Sequence, residues 1–157
     1  MTENRSTTLK VLCILSWVYI GLSMISTTFE MAKGPVTPDI IEEQKSQMLE
    51  MYTEDQIEQM GGMLDDIFVF MEVSNEQFYA INTIGILTLL LGLLAVIMMF
   101  KMNRAGYYLY LTYTIAPIAS AVYFFPGNFM SWVLIVFSLF FGALFAILYG
   151  LQLKTMK

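Results

Sequence analysis

The sequence contains no histidine, and that absence removes the commonest general base, proton relay and neutral metal ligand together. Cysteine occurs once, as Cys13. No intrachain disulfide can form, so no extramembrane segment is stapled by one. Charge is scarce, at 13% of the 157 residues. Only eight residues are basic and they form no basic face, which excludes nucleic acid as a partner. There is no Gly-rich phosphate loop, no Ser/His or Cys/His constellation and no intramembrane acid pair. The expectation is a chain that is not an enzyme and carries no cofactor.

What is abundant is apolar. Hydrophobic residues make up 57% of the chain and the mean hydropathy is +0.65. Four long runs, 9–29, 78–100, 107–125 and 129–151, each approach the roughly 20 residues that a helix needs to cross a bilayer. They predict an all-α integral membrane protein built as a four-transmembrane-helix bundle in one membrane domain. The first run is longer than a signal-peptide apolar region, and Ser26-Thr27-Thr28 is a poor cleavage site, so a retained span is expected. Pro117 lies in the third run and predicts a kink.

The only long polar stretch separates the first two runs. Residues 32–76 hold eleven acids against two bases, a local balance of −9, while the remainder sums to +4. Gly34-Pro35 ends the first helix. Thr37-Pro38 reads as an N-cap with proline at the first helical position. Thr53 with Gln56 is a capping-box pattern, and Ser74 with Gln77 is a second one, expected to open the next span. Ile57, Met60, Leu64, Ile67, Phe68 and Met71 recur at spacings of three and four, an amphipathic stripe. Gly61-Gly62 interrupts it and is expected to weaken or bend the helix by about 1 kcal/mol per glycine. The segment therefore reads as an acidic helical pair.

The loops set an orientation. Arg5 and Lys10, Lys101 and Arg104, and Lys154 and Lys157 all fall on one side, opposite the acidic segment. The positive-inside bias then puts both termini in the cytoplasm and the acidic pair outside. Tyr107, Tyr108 and Tyr149 are expected at the inner interface, with Phe78, Tyr79, Tyr123 and Trp132 at the outer one.

Two spans carry seams of small residues that permit close helix packing. Gly85, Thr88 and Gly92 lie along the second, continuing to Ala95; Ser138, Gly142, Ala146 and Gly150 lie along the fourth. Each closes this protein's own bundle or meets another subunit. The stripe on the acidic pair also needs cover. Interfacial membrane helices carry Lys and Arg on the polar face, whereas this one is acidic and is repelled by anionic lipid. Its cover is the outer end of the protein's own bundle, a partner, or both.

Other candidates are weaker. Met48 with Met51 and Met60 with Met63 offer thioethers to Cu(I), but Met60 also belongs to the apolar stripe. Asp65-Asp66 with Glu54 and Glu58 lacks the alternating ligands of a calcium loop and reads as a solvated acidic face. No metal site is expected. No ionisable residue lies in the core of a span, where ion-coupled transporters need one. Asn82 and the hydroxyl residues Ser16, Ser23, Thr83, Thr88, Thr112, Thr114 and Ser120 are the polar groups at depth.

The expectation for function is a non-enzymatic accessory or structural subunit of a larger envelope complex. Its partners would be membrane lipids and other integral membrane or periplasmic protein subunits, or a second copy of itself. The alternative is a small homo-oligomeric channel or transporter lined by Asn82. In outline, four spans with one large first outer loop, the layout resembles tetraspanins and claudins, whose loop cysteine signatures it lacks. The basic-glycine-aromatic turn from Lys101 to Tyr110 resembles that of many small bacterial membrane proteins, which implies the bacterial inner (plasma) membrane.

Overall fold

The computed structural model describes residues 6–156. Arg5 and Lys157, two of the bases used to set the orientation, lie outside the described residues. Every element is helical: α1 (Thr7–Lys33), α2 (Pro38–Glu50), α3 (Glu54–Glu76), α4 (Phe78–Phe100), α5 (Ala105–Phe124) and α6 (Phe129–Gly150), then a single 3₁₀ turn at Leu153–Thr155. No strand occurs among the described residues. α1, α4 and α6 are long and apolar enough to cross a membrane. α5 is not among them by the same measure. It has 20 residues, five of them tyrosine, with Pro117 inside.

Helix ends follow local chemistry. The Ser6 side chain accepts from the Leu9 N–H at 3.1 Å, and Asn128 Oδ1 accepts from the Met130 N–H at 2.8 Å. Each satisfies a donor that the first turn leaves open. Gly34 stops α1 at φ +78°, a conformation glycine adopts without strain. Thr37 and Pro38 start α2, but the Thr37 hydroxyl makes no capping bond. At Thr53 the backbone N–H donates to Gln56 Oε1 at 3.0 Å, which is the return half of a capping box.

One expectation about helix ends fails. Ser74 does not open α4: α3 runs through it to Glu76, and Gln77 alone separates the two helices. The reason is that Asn75 is engaged elsewhere. Its side chain accepts from the Val36 N–H at 2.9 Å and donates to the Val36 carbonyl at 3.0 Å, which ties the last turn of α3 to the α1–α2 connection. α3 runs as one helix across Gly61-Gly62. Burial of Leu64 just beyond, at 2% exposure, offsets the glycine penalty.

α1, α4, α5 and α6, the long helices of the bundle, form a curved row. α4 packs against α1 on one side and α5 on the other, α5 packs against α6, and α1 and α6 barely meet. The tight core lies at the end carrying both termini. Leu9, Leu12, Cys13, Ala95, Val96, Met99, Tyr110 and Tyr149 cluster there, closed over by Met102 and by Met156 from the tail. Met102 holds φ +64° in the α4–α5 turn, and its buried side chain compensates that unfavourable backbone. Polar clamps seal the same end: Ser6 Oγ donates to Gln152 Oε1, and Arg104 Nε donates to the Met156 carbonyl at 2.7 Å. Tyr149, expected at an interface, is instead fully buried, because its hydroxyl meets Ser16 Oγ at 2.9 Å inside the core.

Candidate functional site

Above that core the row of helices opens. A cavity of about 560 Å³ lies between α1, α5 and α6. Leu15, Ser16, Tyr19 and Ile20 line it from α1, Tyr110, Tyr113, Thr114 and Pro117 from α5, and Phe137, Ser138, Phe141, Gly142 and Phe145 from α6. No lining residue carries a charge. Two of the hydroxyls are occupied: Ser16 by Tyr149, and Thr114 Oγ1 by the Leu111 carbonyl at 2.8 Å. Proline at 117 has no N–H to return to the Tyr113 carbonyl. The mouth opens sideways between α1 and α6, where Leu15, Tyr19, Phe137 and Phe141 are all exposed. Sequence reading missed this cavity, because it arises from which helices fail to touch.

The other candidate surface is the α2–α3 pair at the far end. The stripe on α3 is covered by the chain itself: Leu64 is buried, and Ile57, Met60, Ile67, Phe68 and Met71 are partly buried. Three contacts fix α3 on the long helices. Asp66 Oδ2 accepts from the Phe129 N–H at 2.8 Å, and the Asp66 carbonyl accepts from Asn128 Nδ2 at 2.6 Å. The Phe70 ring stacks on Phe125 with centroids 4.4 Å apart. α2 is held to α3 by Lys45, which pairs with Glu42 and Glu72 and lies 5.7 Å over the Phe68 ring. Hydrogen bonds to Glu72 first, and then Glu42, raise the Lys45 pKa above its ordinary value. The opposite face is left to solvent: Glu43, Glu50, Glu54, Asp55, Glu58 and Asp65 are exposed, as are Ile40 and Val69.

The small-residue seams meet partners within the chain along most of their length. A Cβ at Gly92 would fall 2.7 Å from the Tyr113 ring, one at Gly142 3.2 Å from Thr114 Cβ, and one at Gly150 3.2 Å from the Tyr107 hydroxyl. Ser138, Ala146 and Thr88 are partly buried. Gly85 is the exception, with nothing within 4 Å of that position. Among the glycines, the tightest contact with a neighbouring backbone falls outside both seams. At Gly106 a Cβ would lie 2.6 Å from the Met99 nitrogen and 2.7 Å from the Ala95 carbonyl oxygen.

Asn82 turns back on its own helix and donates to the Phe78 carbonyl at 2.9 Å. Among the described residues, no group of three or more Asp, Glu or Cys side chains is gathered to hold a metal ion. Compared with known protein families, curated proteins and solved structures, the chain matches none. Fold and composition define it as an all-helical protein with three helices able to cross a membrane.

Proposed function

We propose that the chain is an integral membrane protein of four spans, α1, α4, α5 and α6, in the bacterial inner membrane with both termini cytoplasmic. In this reading it acts without catalysis, as an accessory subunit of a larger envelope assembly. One observation carries it: a helical pair is fixed to the end of the bundle by Asp66, Asn75 and Phe70 and turns an unneutralised acidic face outward. Fixing that pair commits the side chains of Asp66, Asn75 and Asn128 and the Phe70–Phe125 ring pair, which is more than a connector between spans requires. The stripe of α3 is spent on the bundle. The docking face for a basic extracytoplasmic partner is then Glu43, Glu50, Glu54, Asp55 and Glu58.

Lys10, Lys101, Arg104 and Lys154 on the terminal side support the orientation through the positive-inside bias. α5 reaches span status through its neighbours, since α4 and α6 cover it on two sides. The channel alternative has less behind it, because Asn82 is bonded to its own helix and the cavity opens sideways.

Gentle extraction of the full chain, with and without Glu54→Lys, Asp55→Lys and Glu58→Lys, tests the reading. A stoichiometric partner is expected with the native acids and is expected to be lost on charge reversal. A monodisperse monomer in both cases, or solute flux in proteoliposomes of the purified chain, overturns it.

A further inference from the structure

We propose that the cavity between α1, α5 and α6 binds one acyl chain of a bilayer phospholipid, which enters sideways between α1 and α6. This rests on the membrane reading above, since it takes the medium outside the mouth to be lipid.

Shape selects the occupant. The α6 wall from Phe137 to Phe145 spans roughly 12 Å at the helical rise, most of the depth of one leaflet's tails in a core of about 30 Å. The cavity of about 560 Å³ has room for an extended hydrocarbon chain, which is far thinner than a helix about 10 Å across.

Chemistry selects it as well. The lining carries no charge, so a lipid headgroup or an ion would be stripped of water with no compensating partner. Ser16 and Thr114 are already hydrogen-bonded within the protein. The floor is closed by the Ser16–Tyr149 pair and the core below it, so the cavity is blind at that end. Apolar walls left empty lose their dispersion partners, and in a bilayer the acyl chain is the molecule at hand to restore them.

The test uses the full chain reconstituted in phosphatidylcholine vesicles doped with phosphatidylcholine bearing a photoactivatable diazirine midway along one chain. Labelled peptides are mapped after illumination. The expected result is label on residues 15–20, 110–117 and 137–145, several-fold above that on the outward α4 face at Leu87, Leu90 and Leu94. Ser138→Trp, which fills the cavity, should abolish the excess; Leu139→Trp, on the exposed side of the same helix, should leave it. Label spread evenly over α1, α4 and α6 and unmoved by Ser138→Trp means annular lipid only and overturns the cavity site while the membrane reading stands. No label on any helix overturns the membrane reading itself. Crosslinks joining two copies through the mouth overturn the lipid assignment. If Ser138→Trp does not reconstitute, the label map of the native chain decides alone.

Discussion

Gly106 and Gly85 are the same residue in neighbouring helices, and they carry opposite predictions. A methyl group at 106 collides with the backbone of α4, which cannot give way as a flexible side chain would. Gly106→Ala should destabilise the protein by about 1–3 kcal/mol, read as a lowered midpoint of thermal unfolding in detergent. Gly85→Ala meets nothing, so it should be neutral or gain up to about 1 kcal/mol from helix propensity in the same assay. Equal effects at the two sites would refute the close α4–α5 approach. The Tyr149–Ser16 pair gives a second residue-scale test. Tyr149→Phe keeps the ring in the core and removes one buried hydrogen bond, at a cost of about 0.5–1.5 kcal/mol.

At the scale of elements, the junction of α3 with α6 is the feature sequence patterns did not announce. Asp66 sits on the acidic segment and reads as one more solvated carboxylate. In the fold it meets the first N–H of α6, where a negative group is favoured by the helix end as well as by the hydrogen bond. Asp66→Ala should lower stability by about 0.5–2 kcal/mol and raise amide exchange in α3 before α4. The neighbouring Asp65→Ala, on the exposed side, should do neither. The α2–α3 clamp has its own pH signature. Glu72 and Glu42 raise the folded pKa of Lys45 above its ordinary 10.5, so its contribution is complete below that value and is lost as pH climbs past the raised one. Protection of α2 against exchange should therefore not respond to Lys45 titration from neutral pH up to about 10.5, and should fall above it. A loss of protection set by a lysine titrating below 10.5 would contradict the pairing.

For the whole molecule, the proposed membrane orientation is accessible to experiment through the single buried cysteine. Cys13 is fully buried, so a membrane-impermeant maleimide should meet little background. Met51→Cys, at a joint between α2 and α3 that is 72% exposed, and Pro126→Cys, in the α5–α6 turn, should both label in intact cells. Lys154→Cys should label only after permeabilisation. Labelling of Pro126→Cys from the inside alone would remove α5 from the spans and leave three.

Much of this was legible in the residues. The four apolar runs became α1, α4, α5 and α6 with ends displaced by a few residues, because a long apolar run satisfies its backbone within itself only as a helix, and α5 stays helical even across Pro117. The stop at Gly34 and the cap at Thr53 are local events between residues a few positions apart. The split of charge, −9 in one segment against +4 elsewhere, is likewise a property of the sequence alone. What only the tertiary structure decided lies between distant residues. Asn75 on Val36 carried α3 past Ser74, Asp66 on Phe129 turned the stripe of α3 inward, and Gly106 let α5 close on α4. The gap between α1 and α6 follows from the same packing, since a row of helices drawn together at one end by Tyr149, Met102 and Met156 has nothing to close it above. Periodicity assigns a face to each helix; which faces meet, and which two are left with a cavity between them, depends on the sum of contacts across the whole chain.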